Sequence, residues 1–553
     1  MLVGLDLDNT LIDYDAAFCS TAMEVGLLTD VQVARMGLVN GTPSKTQVKS
    51  FLLSQPDGDR FWEALQGQVY GSYIHKARLF PGVLKFLERC HARGIRVVVL
   101  SHKTQYGHYD ESGISLREAA IGFLDENGFF RPGTGMTEQD VLFFDTRAEK
   151  VAMIGLQRCD SFIDDLPEVF DAGHFPSGTE KILFNGAASR ATVADTNLVV
   201  FDNWHDIASH LLGDVGSAEL KSILERSLNQ SVGEVEQING RGNSRVFSVR
   251  MASGTRYVAK LYPEDRRGLS SRLGREQAAL DFMNSNGIDI VPKLIFSDVL
   301  MNMGLYEWID GAAVHQVSDD DLCEAISFIG TLSSIGRKAP FDHFPMASAA
   351  CVSGQMIEEQ LWERFRRISG CNPENAGLQS YLQEDMKPLI DELLAEARHC
   401  WPSLFFEPLI SDHQLLSPSD FGFHNALRTK DGIRFIDFEY FGWDDPVKLT
   451  SDFLLHPGMT LTDEQKQAWV DGMADLCKSD ESFLARLQLA YPLYALIWCL
   501  IFLNEYCPEG MHRRRRAHKG SVDVLARQAV QLEKSKKMLE HVSAMKSQGF
   551  FYE

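Results

Sequence analysis

MLVGLDLDNTLIDYD, residues 1–15, begins as an apolar strand and then turns acidic. Val3, Leu5 and Leu7 read as a strand bound for a core, yet aspartates stand at 6, 8, 13 and 15. Carboxylates do not enter a core unless something compensates their charge. The strand therefore ends at a polar mouth or at a metal. Asp6 and Asp8, two apart on a strand end, project to the same side.

The residues that follow decide what kind of sheet this strand joins. Residues 14–78 read mostly helical, with apolar residues at helical spacing in FWEALQGQVYGSYI. LFPGVLKFLERCHARGIRVVVLSHKT then reads as turn, amphipathic helix, Gly94 stop and a buried strand over Val97–Leu100. VLFFD (141–145), SFID (161–164), KILF (181–184) and LVVF (198–201) are further short apolar strands, several separated by helical patterns. Such alternation predicts an α/β, doubly wound parallel sheet covered on both faces. The pattern closes with NWHDIASHLLG, so a first domain is expected over 1–213, with a helical insert over about 14–78 and a helical connector over 214–232.

A different pattern starts near Gly233. VEQINGRGNSRVFSVRMASGTRYVAKLY reads as an antiparallel meander with turns at GRGN and ASGT. A helix, SSRLGREQAALDFMNSN, and the strand-like LIFSD and MGLYEWIDG follow; from about 318 the chain is mainly helical, interrupted by a loop and hairpin at 415–440. This predicts an α+β domain over 233–553, with a sheet lobe over about 233–312 and a helical lobe over about 313–553. LAYPLYALIWCLIFLNEY, 489–506, is nearly apolar but broken by Pro492, and is expected to be a buried helix rather than a membrane span.

The totals agree with several domains: 553 residues, 44% hydrophobic, are too many for one core. A net charge of −22 argues against broad binding to nucleic acid or anionic membrane. Ten scattered cysteines, with no C-x-x-C pair, read as reduced thiols of a cytoplasmic protein. MHRRRRAHKG, 511–520, reads as a partly solvated basic patch.

In a doubly wound sheet, ligands sit at the carboxyl ends of the strands. Ser101 follows VVVL, Asp164 and Asp165 follow SFI, and Lys150 opens the segment before that strand. Clustered carboxylates repel unless a cation lies among them, and Mg²⁺ suits all-oxygen ligands and bound phosphate. DLDNT at 6–10, Ser101, Lys150 and FIDD at 162–165 together resemble the haloacid dehalogenase superfamily of phosphatases, over roughly 1–212. The resemblance implies Asp6 as nucleophile, Asp8 as general acid then base, and Thr10, Ser101 and Lys150 on the phosphate. It implies Mg²⁺ held by Asp6, Asp164 and the backbone carbonyl of Asp8, with Asp165 as a supporting metal partner. It also implies that the insert caps the site. Trp62, His75, Lys76 and Arg78 are candidates for lining it, each read rather as packing or surface; Asp13 and Asp15 read as cap or turn residues.

The second candidate site lies in LLSPSDFGFHNALRTKDGIRFIDFEYFGWDDP, 415–446. Phosphoryl transfer needs a carboxylate to orient the acceptor and further groups to hold Mg²⁺ against the nucleotide. Asp420 and Asn425 are five apart in a loop, and IRFID presents Asp437 at a strand end, with Glu439 two residues on. Upstream, YVAKLY carries Lys260, which Glu276 in the next helix is placed to pair, and GRGNS offers backbone N–H groups to phosphates. These segments resemble the aminoglycoside phosphotransferase and choline kinase branch of the protein-kinase-like fold, over roughly 233–540. The resemblance implies Asp420 as catalytic aspartate, Asn425 and Asp437 as Mg²⁺ ligands, and Lys260 with Glu276 as phosphate anchor. Backbone around Glu307 and Ile309 would meet the adenine of ATP. The family usually has histidine two residues before its catalytic aspartate; here that position is Pro418, so the loop scaffold is expected to differ, and His424 reads as structural.

The expectation is a bifunctional enzyme: a Mg²⁺-dependent phosphohydrolase of a small phosphoester, fused to an ATP-dependent kinase of a small-molecule hydroxyl, a sugar or another alcohol. The alternatives are a kinase whose first domain is a regulatory or binding module, and a kinase acting on an antibiotic or a protein.

Overall fold

The computed structural model describes residues 1–36, 42–109, 112–171, 173–186, 198–238, 244–264, 271–508 and 523–548. It divides into two compact units, Met1–Val235 and Glu236–Glu553.

The first unit is built on strands β1 (Leu2–Leu5), β2 (Arg96–His102), β3 (Val141–Phe144), β4 (Ser161–Asp164), β5 (Glu180–Phe184) and β6 (Val199–Phe201). They lie in the order β3-β2-β1-β4-β5-β6, and each neighbouring pair is parallel. The strands read as continuous apolar runs because both faces are covered. Val97, Val99 and Ile163 enter the core on one face, and Val98, Leu100 and Phe162 the core on the other. Gly4 is required at the centre: a Cβ there would lie 2.5 Å from the Phe162 ring. The order of connection reverses at β1, so a crevice opens at its carboxyl end between β2 and β4.

Between β1 and β2 the chain forms helices Asp15–Glu24, Asp30–Arg35, Lys45–Leu53 and Gly58–Tyr70. Ile12–Asp13 pairs with Arg78–Leu79 where this insert leaves and rejoins the sheet domain. The four candidate lining residues are engaged in contacts within the insert or exposed. Trp62 stacks on Phe18 at 5.1 Å, Lys76 pairs with Glu24, and Arg78 holds Asp13 at 2.8 Å. His75 is exposed beside the Ser72 carbonyl.

The helix Ser217–Leu228, expected as a connector, is an integral part of the first unit. The buried Glu219 carboxylate accepts from Arg89 at 2.6 Å and pairs with Arg93 at 2.5 Å. Arg89 also donates to the Gly213 carbonyl at 2.8 Å. A buried guanidinium without its carboxylate is costly, so the unit extends past residue 213. Glu219→Ala strands Arg89, and removal of one partner of a buried pair costs about 3–5 kcal/mol. Urea unfolding of the full chain is expected to show that loss in the transition of the first unit.

In the second unit the division falls on β7 (Val232–Ile238), which is followed by β8 (Arg245–Met251), β9 (Arg256–Leu261), β10 (Leu294–Asp298) and β11 (Met303–Glu307). The sheet order is β10-β11-β9-β8-β7. The ASGT turn joins β8 to β9 through Gly254 at φ +90°. The GRGN turn and the arginine run at 511–520 lie outside the described residues. The rest is mainly helical around one large core, with short strands at Ala312–Ala313, Leu415–Ser417, Ala426–Thr429, Gly432–Phe435 and Gly442–Asp444. The apolar run near the end belongs to helix Phe483–Phe502, which is long and apolar enough to cross a membrane but mostly buried in the unit. Cys371 and Cys507 form a disulfide, against the reading of all ten cysteines as free thiols. Here the fold brings together two residues 136 apart, a juxtaposition that spacing cannot reveal.

Candidate active sites

In the first unit the crevice at β1 gathers the expected residues from four elements. Asp6 follows β1, and its N–H donates to the Ile163 carbonyl of β4 at 2.8 Å. Asn9, at φ +59°, turns the chain immediately after Asp8; its N–H donates to the Ile12 carbonyl at 2.9 Å. Lys150, buried in the helix Arg147–Gln157, donates to Asp6 and, at 2.7 Å, to Asp164. The carboxylates of Asp6, Asp164 and Asp165 reach within 4.8 Å of one another. Burial pushes the Asp6 carboxyl up to about 7 against the pull of Lys150. Burial and the neighbouring Asp6 and Asp164 likewise hold Asp165 well above the usual carboxylate range. Crowded oxygens of this kind fit a small divalent cation. The Thr10 hydroxyl is buried without a hydrogen-bond partner among the described residues, and Ser101 is buried near the end of β2.

Asp8 is held apart from that trio. Its carboxylate accepts from Lys103 Nζ at 2.9 and 2.8 Å and from the Tyr14 hydroxyl at 2.8 Å. Lys103 lies in the polar segment HKTQYGHYDESG beside Ser101, which the sequence offers as shaping the pocket; neither Tyr14 nor Lys45, whose Nζ donates to the Tyr70 hydroxyl at 2.9 Å, is among the residues the sequence pointed to. A signal for Lys103 existed: it stands two residues past Ser101 at a strand end, the spacing that puts side chains on one side. Lys45 had none, because its position depends on how the insert docks.

In the second unit Lys260 lies on β9 and donates to Glu276 Oε2 at 2.7 Å and to Asp437 Oδ1 at 2.5 Å. Glu439 is 3.0 Å away and completes the cluster, held also by Arg272 at 2.7 Å and Ser244 at 2.9 Å. Burial would discharge Lys260, but Asp437, Glu276 and Glu439 hold its ammonium well above the usual range. Burial takes Asp437 up to about 7 in spite of Lys260, with Glu439 and Glu276 adding repulsion. Asp437 adopts φ +73°, a conformation that costs a non-glycine residue energy and often marks a working site. The carboxylates of Glu276, Asp437 and Glu439 come within 4.8 Å of each other. Glu439 was legible as a strand-end neighbour of Asp437 but had no assigned role.

Asp420 sits on the adjoining loop. Asn425 Nδ2 donates to the Asp420 carbonyl at 2.9 Å, and the Ile436 N–H donates to the Asn425 carbonyl at 2.9 Å, which ties the loop to the residue before Asp437. His424 Nε2 donates to the Asp420 carboxylate at 3.0 Å, and its ring stacks on His456 at 3.5 Å. Burial opposes ionisation of Asp420, but the His424 hydrogen bond holds its carboxyl below the usual range. Pro418 thus leaves the aspartate with an imidazole supplied from four residues after it, and His424 contacts the candidate catalytic group directly. At the proposed adenine edge the Glu307 N–H is committed to the Lys293 carbonyl at 3.0 Å; Ile309 follows in irregular chain after β11.

Residues 234–472 match the model of a phosphotransferase enzyme family, which gives the second unit a kinase-like phosphotransferase domain. The match covers less than half of the chain. No curated protein matches it. Among solved structures, an ethanolamine kinase of Plasmodium vivax is similar at 14% identity and a TM-score of 0.41, over 61% of this chain and 95% of that one. A choline kinase from Streptococcus pneumoniae is similar at 15% identity and a TM-score of 0.40, over 58% and 98%. A spectinomycin phosphotransferase in complex with ADP and spectinomycin is similar at 12% identity and a TM-score of 0.42, over 60% and 99%.

Proposed function

We propose that the chain is a bifunctional enzyme, an ATP-dependent kinase of a small-molecule hydroxyl joined to a phosphohydrolase of the haloacid dehalogenase type. The observation that carries the kinase reading is the buried Lys260–Glu276–Asp437 network beside Asp420. On this reading Lys260 holds the nucleotide's phosphates, with Glu276 fixing its ammonium. Asp420 accepts a hydrogen bond from the acceptor hydroxyl and takes its proton as the new O–P bond forms and ADP departs. Asp437, Glu439 and Asn425 would supply the oxygens for Mg²⁺, whose part would be to offset phosphate charge.

For the first unit the supporting observation is Lys150 bridging Asp6 and Asp164, together with a buried Thr10 hydroxyl that has no hydrogen-bond partner among the described residues. An Asp6 oxygen attacks phosphorus while the ester bond breaks, and Asp8 gives its proton to the leaving oxygen. Asp8 then takes a proton from the water that cleaves the aspartyl-phosphate. Thr10, Ser101 and Lys150 hold the phosphoryl oxygens, and Asp6, Asp164 and the Asp8 carbonyl, supported by Asp165, would hold Mg²⁺. A cytoplasmic setting remains part of this proposal.

Both halves are tested by incubating the full chain with Mg²⁺ and two panels. Phosphate release is followed across small phosphoesters, and ATP consumption across sugars, amino alcohols and aminoglycosides. The expected result is one responsive class in each panel. ATP consumption without any phosphate release would reduce the first unit to a binding or regulatory module.

A further inference from the structure

We propose that Lys45 and Lys103 form a second anion-binding subsite under the helical insert, so that the phosphoester taken by the first unit carries another anionic group, a carboxylate or a second phosphate, on its leaving group. This rests on the phosphohydrolase reading of Asp6 and Asp8. The scissile side of the crevice already has its ammonium, since Lys150 bridges Asp6 and Asp164. Two more lysines nevertheless converge on the ring of Tyr70, Lys103 from its pairing with Asp8 and Lys45 from the insert.

Lys103 is buried, with its Nζ on both oxygens of Asp8. Lys45 opens the helix Lys45–Leu53, which is anchored by the Ser44 cap and by Asp15 accepting the Lys45 N–H at 2.9 Å. Its ammonium reaches only neutral acceptors, the Tyr70 hydroxyl at 2.9 Å and Asn9 Oδ1 at 3.5 Å. Among the described residues it has no carboxylate at ion-pair distance. Burial would discharge it, but Tyr70 and the more distant Asp165 and Asp8 keep it charged. Both ammonium groups face one ring: Lys103 Nζ lies 4.4 Å and Lys45 Nζ 5.5 Å from the centre of Tyr70.

The position of Asp8 decides which part of the substrate they meet. A group that protonates the leaving oxygen stands beside the leaving group, so Lys103, paired with Asp8, and Lys45, which shares the Tyr70 ring with Lys103, lie toward that group. A plain alcohol would leave the half-buried Lys45 ammonium without an ion-pair partner, an unfavourable arrangement. An anionic tail gives both ammonium groups charge-assisted hydrogen bonds.

Titration calorimetry on the full chain with Mg²⁺ tests this with three non-hydrolysable probes of similar length. These are propylphosphonate, phosphonopropionate and propylene bisphosphonate. At least one anionic-tailed probe is expected to bind about tenfold or more tighter than propylphosphonate, the scale of one hydrogen bond to a charged group. The tighter of the two tells carboxylate from phosphate. Lys45→Met should bring that ratio close to one while leaving propylphosphonate affinity unchanged, and Lys45→Arg should largely keep it. If the methionine variant misfolds, Lys45→Gln serves the same comparison. Equal binding of all three probes by the unaltered chain, or a preference that survives loss of the Lys45 charge, overturns the subsite and leaves the phosphohydrolase reading standing. If no probe binds and no phosphoester is hydrolysed, both fall together.

Discussion

Asp6→Asn is expected to lower phosphate release by at least about 10⁴-fold, the order of loss that follows removal of a catalytic nucleophile. The amide has the carboxylate's shape and keeps an oxygen for Lys150, while Lys150 retains Asp164 at 2.7 Å. The fold should therefore survive the substitution, and the loss should be chemical. Burial already pushes the Asp6 carboxyl up to about 7, so an uncharged side chain there carries no new desolvation cost. Beryllium fluoride, which mimics an acyl phosphate, should inhibit the unaltered protein and lose its binding in the variant. Affinity for Mg·ATP in the second unit should not move. Hydrolysis at the original rate in Asp6→Asn would remove the covalent route from consideration.

Much of this geometry could be read from residue order. The strand ends that carry Asp6, Ser101 and Asp164 were visible as apolar runs followed by polar residues, and a parallel sheet sends such ends to one edge. Lys150 was visible for the same reason, as a cation near the start of the segment before β4. What stayed hidden depends on docking between segments far apart in the chain. Lys45 is brought to Asn9 by the insert's helices, and Glu219 to Arg89 across 130 residues. Cys371 meets Cys507 only after two helical segments pack. His456 reaches His424 by ring stacking, which leaves no periodic signal. Sequence spacing reports the side of a strand or helix on which a residue lies; it is silent on which distant element covers that side.

The second expected effect separates two aspartates in the second unit. Asp437→Asn should weaken Mg·ATP binding by at least about tenfold, since losing even a supporting partner of a metal ligand costs about that much affinity. Asp437 shares Lys260 with Glu276 and Glu439, so on the proposed reading its carboxylate belongs to the cluster that would receive the nucleotide's charge. Among the described residues Asp420 makes no ion pair with Lys260; its carboxylate accepts from His424 at 3.0 Å. Asp420→Asn leaves the Lys260 cluster intact and offers His424 an amide oxygen. Nucleotide affinity should therefore persist, while turnover with the responsive acceptor falls about 10²–10⁴-fold, the usual contribution of a positioned base. Calorimetry with Mg·ATP on both variants reads the difference directly. Equal ATP affinities in the two would mean that Asp437 is not the group that meets the metal-bound nucleotide. Weak binding in Asp420→Asn alone would reverse the two assignments, placing the loop aspartate on the nucleotide and the strand-end aspartate on the acceptor.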